Sequence, residues 1–136
     1  EQIIQQSMIG MQNVQRLNYR LSEKEYYELI ANCDFLVLCD IKMPANVTNG
    51  TLSEALLQLK PVIAPNYDPY KTIIEQNNVG ILYDPDDVSS LRQAMIKAFE
   101  NGSSIYYESL VRYQRSFLFS SVVEQFHKEI ELCLNN

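Results

Sequence analysis

Asn49, Gly50 and Thr51 lead into Leu52-Ser53-Glu54-Ala55-Leu56-Leu57, a run whose one charged side chain is the Glu54 carboxylate. Exposed N–H groups at a helix N-terminus, together with the helix dipole, favour a bound phosphate. Gly50 lets the backbone approach a ligand closely, because nothing projects from its Cα. Thr51 or Ser53 can add a hydroxyl donor. A helix is predicted over residues 52–59, which puts Glu54 in its first turn. There the carboxylate can accept hydrogen bonds from a vicinal diol such as a ribose. It can equally serve the helix alone, favouring the dipole by ~0.3–1 kcal/mol. These residues by themselves leave both readings open. The loop is a weaker signal than a P-loop, since neither G-x-x-x-x-G-K-[ST] nor G-x-G-x-x-G occurs.

Other chemistry is sparse. Cys33, Cys39 and Cys133 form no Cys-x-x-Cys pair, and an odd count suits reduced thiols, expected here as buried small apolar residues. The single histidine, His127, falls in a helical pattern without a neighbouring cysteine or second histidine, which argues against a zinc site or a Ser-His-Asp triad. Three Asn-x-Ser/Thr sequons, at Asn46, Asn49 and Asn101, read as coincidental. Nine tyrosines include the pairs Tyr26-Tyr27 and Tyr106-Tyr107. Without basic neighbours they read as packing and surface residues rather than a base-stacking platform.

These residues must be positioned by a layered core. With 136 residues the chain is read as one domain, residues 1–136. A net charge of −6, with scattered Lys and Arg, argues against nucleic-acid binding. No apolar run approaches the ~20 residues that span a bilayer. Residues 1–6 lack the basic and apolar regions of a signal peptide, so a cytoplasmic location is expected.

Residues 13–17 (NVQRL) read as a short strand. Ser22 and Glu25 form a capping box opening a helix with Tyr26, Leu29 and Ile30 on one face, ending near Asn32. Residues 34–39 are a continuous apolar strand of the kind found in parallel sheets. After the loop and helix described above, residues 61–65 (PVIAP) form another strand. A helix begins around Asp68-Pro69-Tyr70 and stops at Asn77-Asn78. Residues 79–83 form a strand. Asp86 or Asp87 then caps a helix with Val88, Leu91, Ala94, Met95, Ala98 and Phe99 inside, ended by Asn101-Gly102. Residues 104–134 read as one or two helices with Leu110, Phe117, Val122, Phe126 and Ile130 as the apolar set. The alternation predicts an α/β fold: a Rossmann-like open parallel sheet with helices on both faces. Residues 1–10 suggest a helix with Ile3, Ile4 and Met8 inside but no strand before it. The chain is therefore expected to be a fragment whose first strands lie upstream. In such sheets ligands bind beyond the carboxyl ends of the strands, where the loops 18–21, 40–51, 66–69 and 84–87 lie.

Three segments in order, NVQRLNYRLSEKEYYELIANCDFLVLCD, GTLSEALLQLKPVIAPN and VGILYDPDDVSSLRQAM, carry a resemblance. Together they resemble the carboxyl-terminal, nucleotide-sugar-binding domain of retaining GT-B glycosyltransferases of the group 1 type. That family shows an "LG-x-V…S-x-x-E-L…A-D-x-F-V-x-P-S" stretch, then E-x7-E, a "G-K-P-V-I" strand and "G-x-L-x-x-P-x-D-x-x-x-L". The resemblance covers about residues 13–98 and implies half of a GT-B fold. It implies a hexosyltransferase using a nucleoside-diphosphate sugar donor without metal or other cofactor, in polysaccharide biosynthesis. It also implies an N-terminal acceptor-binding domain in the same enzyme and allows peripheral membrane association of that enzyme. By this resemblance Glu54 is the second glutamate of E-x7-E, which binds the ribose hydroxyls. Thr48, Asn49, Gly50, Thr51 and Leu52 match backbone beside the diphosphate, and Asn18, Tyr19 and Arg20 match the loop beside the nucleobase. Asn46 stands where the family's first glutamate contacts the donor sugar, and it keeps hydrogen-bonding capacity without the charge. Asn18 replaces the glycine of "LG", and Cys39-Asp40 replaces "P-S". The acceptor domain and the upstream basic pair that steadies the diphosphate are not in this chain, so the isolated chain is expected to be inactive. The alternatives are a non-catalytic nucleotide-sugar-binding module and another doubly wound signalling domain, such as a receiver phosphorylated on Asp40.

Overall fold

The structure is a computed structural model that describes residues 13–39, 50–117 and 119–134. Its elements follow the order α1 (Glu23–Asn32), β1 (Leu36–Val37), α2 (Gly50–Leu57), β2 (Val62–Pro65), α3 (Tyr70–Asn77), β3 (Gly80–Tyr83) and α4 (Val88–Asn101). A 3₁₀ turn (Ser104–Tyr106), α5 (Tyr107–Ser116) and α6 (Phe119–Leu134) complete it. The three strands form one parallel sheet in the order β1-β2-β3. The α/β, Rossmann-like open sheet expected from the alternation is what the chain forms.

The centre of the fold is β2. Val62, Ile63, Ala64 and Pro65 are all buried, which requires cover on both faces of the strand. Val62 pairs with Leu36 on one side and Gly80 on the other, and Ile63 with Val37 and Ile81. Its apolar run fits the rule that parallel strands are buried on both faces. Around it lie Leu38, Leu52, Ala55, Leu56, Tyr70, Ile74, Val79, Tyr83, Ala94, Ala98, Tyr106 and Leu110. The Tyr83 hydroxyl donates to the Leu38 carbonyl at 2.9 Å, tying the end of β3 to the end of β1.

Local signals set several ends. The Ser22 capping box is complete: Ser22 N donates to Glu25 Oε2 at 2.8 Å and Glu25 N to Ser22 Oγ at 3.3 Å. The Ser22 hydroxyl bond holds the Glu25 carboxyl below its usual range. Asp87 caps α4 through Ser89 N at 2.8 Å. Asn78 ends α3 in the left-handed region, with φ 52°. Gly102, with φ 70°, ends α4. After α2, Lys60 N donates to the Ala55 carbonyl and Leu59 N to the Leu56 carbonyl, the bond pair of a Schellman motif. Its left-handed position, normally glycine, is Leu59 with φ 59°.

Several expectations are corrected. Residues 13–17 form no strand, because no described strand offers them a ladder. The strand expected over 34–39 reduces to Leu36–Val37, with one further ladder bond from Leu38 N to the Ile63 carbonyl at 2.8 Å. The helix expected from residue 52 already includes Gly50 and Thr51. Leu29 is 49% exposed, Val88 85%, Met95 50% and Phe99 92%, so the apolar stripes of α1 and α4 are wider than the described core covers. Phe117, Val122, Phe126 and Ile130 are exposed as well, and of that set Leu110 alone is buried. Cys39 is exposed and Cys33 half-buried, because one follows the edge strand and the other caps α1 with its N–H on the Ile30 carbonyl. The side chain of Cys133 lies outside the described residues.

Gly80 is fixed by sheet spacing. A Cβ built on it would lie 2.2 Å from the backbone oxygen of Val62. Gly80→Ala is expected to push β3 off β2 and cost ~1–3 kcal/mol, as overpacked cores do. Thermal melting followed by circular dichroism checks this, and an unchanged midpoint would show that the strands separate without loss.

Candidate functional site

The site is built where α1 and α2 meet. Ser22 fixes where α1 starts, and one turn later Tyr26 faces inward on the same side as buried Ile30, four positions on. Across from it stands α2. Leu52, Ala55 and Leu56 are buried on its inner face, which turns Thr51 and Glu54 toward α1 at half-burial. The Tyr26 hydroxyl donates to Glu54 Oε2 at 2.7 Å. Burial, then the bond to the Glu54 carboxylate, raises the Tyr26 pKa, and a hydrogen bond with the Thr51 side chain opposes the shift. The ring stands edge-on to Tyr27, centroids 5.5 Å apart at 65°. Thr51, Tyr26 and Glu54 thus form a hydrogen-bonded chain between the two helices.

A second tie joins the far end of α1 to the fold, where Lys60 Nζ donates to the Ala31 carbonyl at 2.6 Å. Gln114 Nε2 donates to the Leu57 carbonyl at 2.7 Å and holds the last turn of α2. Both helices are therefore tied to the rest of the fold by side chains from other elements.

Because α2 includes Gly50, Glu54 lies beyond its first turn, and that turn holds no acidic residue. The expectation that its charge serves the helix dipole is corrected, since the dipole effect fades within one turn. Its partner is Tyr26 instead. Gly50 and Thr51 open α2, where first-turn N–H groups lack partners within the helix. A Cβ on Gly50 would meet nothing within 4 Å, so space is open beside it. Leu52 is buried, leaving only its backbone for a ligand. Asn46, Thr48, Asn49 and Asp40 lie outside the described residues.

The structure does not bring every predicted residue to Glu54. Asn18, Tyr19 and Arg20 are exposed just before α1. Tyr19 lies in a groove with Gln15, Leu17, Leu21, Glu25 and Leu29, on a different face of α1 from Tyr26. Tyr26 is the residue that sequence reasoning missed as a site member. The signal was available in part: a tyrosine on the inward face of a capped helix needs a partner for its hydroxyl.

Among the described residues no group of three His, Cys, Asp or Glu side chains could hold a metal ion, and no helix is long and apolar enough to cross a membrane. The family model described as glycosyl transferases group 1 matches residues 6–117. The chain belongs to that family. The function of this family is glycosyl transfer, and the domain is a glycosyltransferase domain. Comparison with curated proteins finds no match.

In this glycosyltransferase domain the Tyr26 phenol is held neutral to higher pH than a free tyrosine, whose pKa is about 10. The raised value means that its stabilising contribution is complete below the unfolded-state pKa and is lost as pH climbs through the folded-state one. Alkaline titration followed by tyrosine absorbance should show a late-ionising phase. Glu54→Gln removes the neighbouring charge and should move one phase to lower pH, leaving the buried Tyr106 and the half-buried Tyr113, also raised, in place. A titration curve identical in both proteins would break the assigned pairing.

Proposed function

We propose that this domain binds a nucleoside-diphosphate sugar and is the donor half of a retaining GT-B glycosyltransferase. The observation that carries the reading is the Glu54 carboxylate, half-buried on α2 one turn beyond its start and held by Tyr26. In this reading Glu54 accepts the ribose hydroxyls. The backbone of Asn49, Gly50, Thr51 and Leu52, with Thr48, receives the diphosphate, and Asn18, Tyr19 and Arg20 lie on the nucleobase side. Asn46 contacts the donor sugar. Retention, the hexosyl donor and the GT-B arrangement rest on the sequence resemblance.

Physically, negative charge develops on the diphosphate as the glycosidic bond to it breaks. Preorganised backbone donors at a helix N-terminus stabilise that charge without a metal. The acceptor is held by a separate N-terminal domain in the complete enzyme, working in the cytoplasm, and the isolated chain does not turn over.

The neutral Asn46 supports a second reading, a domain that keeps donor binding and has lost transfer. Measured transfer or donor hydrolysis by the complete protein with Asn46 in place removes this reading.

For the primary reading the test is Glu54→Ala. Loss of charge-assisted hydrogen bonds should weaken nucleoside-diphosphate binding by about 1–3 kcal/mol. Titration calorimetry with UDP, GDP and ADP measures it, and an affinity unchanged by the substitution would remove Glu54 from the site.

A further inference from the structure

The Tyr26 phenol has no role in the sequence reading, yet it is the described partner of the Glu54 carboxylate. We infer that Tyr26 is a positioning residue: its hydroxyl fixes Glu54 Oε2 so that the rest of the carboxylate is presented to the vicinal hydroxyls of a ribose. This rests on the reading of Glu54 given above.

The geometry supports it in three ways. First, the bond is short, 2.7 Å, and partly shielded from water. A carboxylate offers about four acceptor positions. Tyr26 takes one, and enough remain for two ribose O–H donors. Second, the Thr51 side chain also bonds the phenol. With Thr51 donating to the phenol oxygen, the phenol proton is left for Glu54. Third, Tyr26 is itself anchored. The capping box sets the helix start, and Tyr27 packs against the ring at 5.5 Å. The separate tie from Lys60 to the Ala31 carbonyl already secures α1. A purely structural role for the Tyr26 hydroxyl would duplicate it.

Tyr26→Phe keeps the ring and removes the hydroxyl. The 136-residue chain is titrated calorimetrically with UDP, GDP and ADP and with their 2′,3′-dideoxy counterparts. Tyr26→Phe should weaken ribonucleotide binding about 3–10-fold and dideoxynucleotide binding less than about 2-fold, the range of one lost hydrogen bond. Combined with Glu54→Gln, it should change ribonucleotide affinity less than about 2-fold further, because the group it positions is already altered. Equal weakening for both nucleotide classes, or an effect that persists undiminished beside Glu54→Gln, overturns the inference and marks Tyr26 as structural. Unchanged ribonucleotide affinity in Tyr26→Phe overturns it too. If no nucleotide binds, or Glu54→Gln alone leaves ribonucleotide affinity unaltered, the ribose reading itself fails and the inference falls with it.

Discussion

Val62, Ile63, Ala64 and Pro65 lie between two parallel neighbours with no side left to water. A strand in that position must satisfy its amides through both ladders and its side chains through two helical layers. Those demands leave little freedom elsewhere. Gly80 is small because the Val62 carbonyl passes against it. The α2 helix must bury Leu52, Ala55 and Leu56, which decides that Thr51 and Glu54 face α1. The chain must also turn sharply from α2 into β2. Leu59 makes that turn in a left-handed conformation that disfavours any residue carrying a Cβ by roughly 1–2 kcal/mol. The G-K-P-V-I pattern of the resemblance has glycine there. Leu59 packs against the core, so burial offsets part of the strain.

The placement of Glu54 follows from that core rather than from its own helix. Its nearest polar partner is 28 residues away in sequence. The two helices are held at both ends, by Tyr26 and Glu54 near one and by Lys60 and the Ala31 carbonyl near the other. Both contacts are made by groups of the chain itself.

What could be read in the sequence was what is decided locally. The Ser22 capping box, the Asp87 cap and the Asn78 and Gly102 stops each involve neighbours within four residues or the conformation of one. Apart from the strand expected over residues 13–17, the order of strands and helices was legible because period and length distinguish them. Cover was not legible. Val88, Met95 and Phe99 repeat at helical spacing, but periodicity reports that a face is apolar, not what lies on it. The start of α2 was read two residues late, since Gly50 and Thr51 have loop-like composition and yet are already helical. That small shift changed the physical meaning of Glu54, moving it out of the dipole's reach. Tyr26 was read as a packing residue because its hydroxyl partner comes from another element.

A carboxylate that recognises a diol faces opposing requirements. Fully exposed, it is well hydrated, and ordering its flexible side chain consumes part of the binding free energy. Fully buried without partners, its charge is costly. Half-burial beside a phenol lies between these limits. The tyrosine has only two side-chain torsions and is already packed, so it lends order to the glutamate at small further entropic loss. Its hydroxyl compensates one carboxylate oxygen for lost water and leaves acceptor capacity unused. In the proposed role the ordering is completed when the chain folds, and more of each ribose hydrogen bond is available to affinity. The same logic explains why a neutral partner suits the position better than Lys or Arg. An ammonium or guanidinium would satisfy the carboxylate outright and compete with the diol.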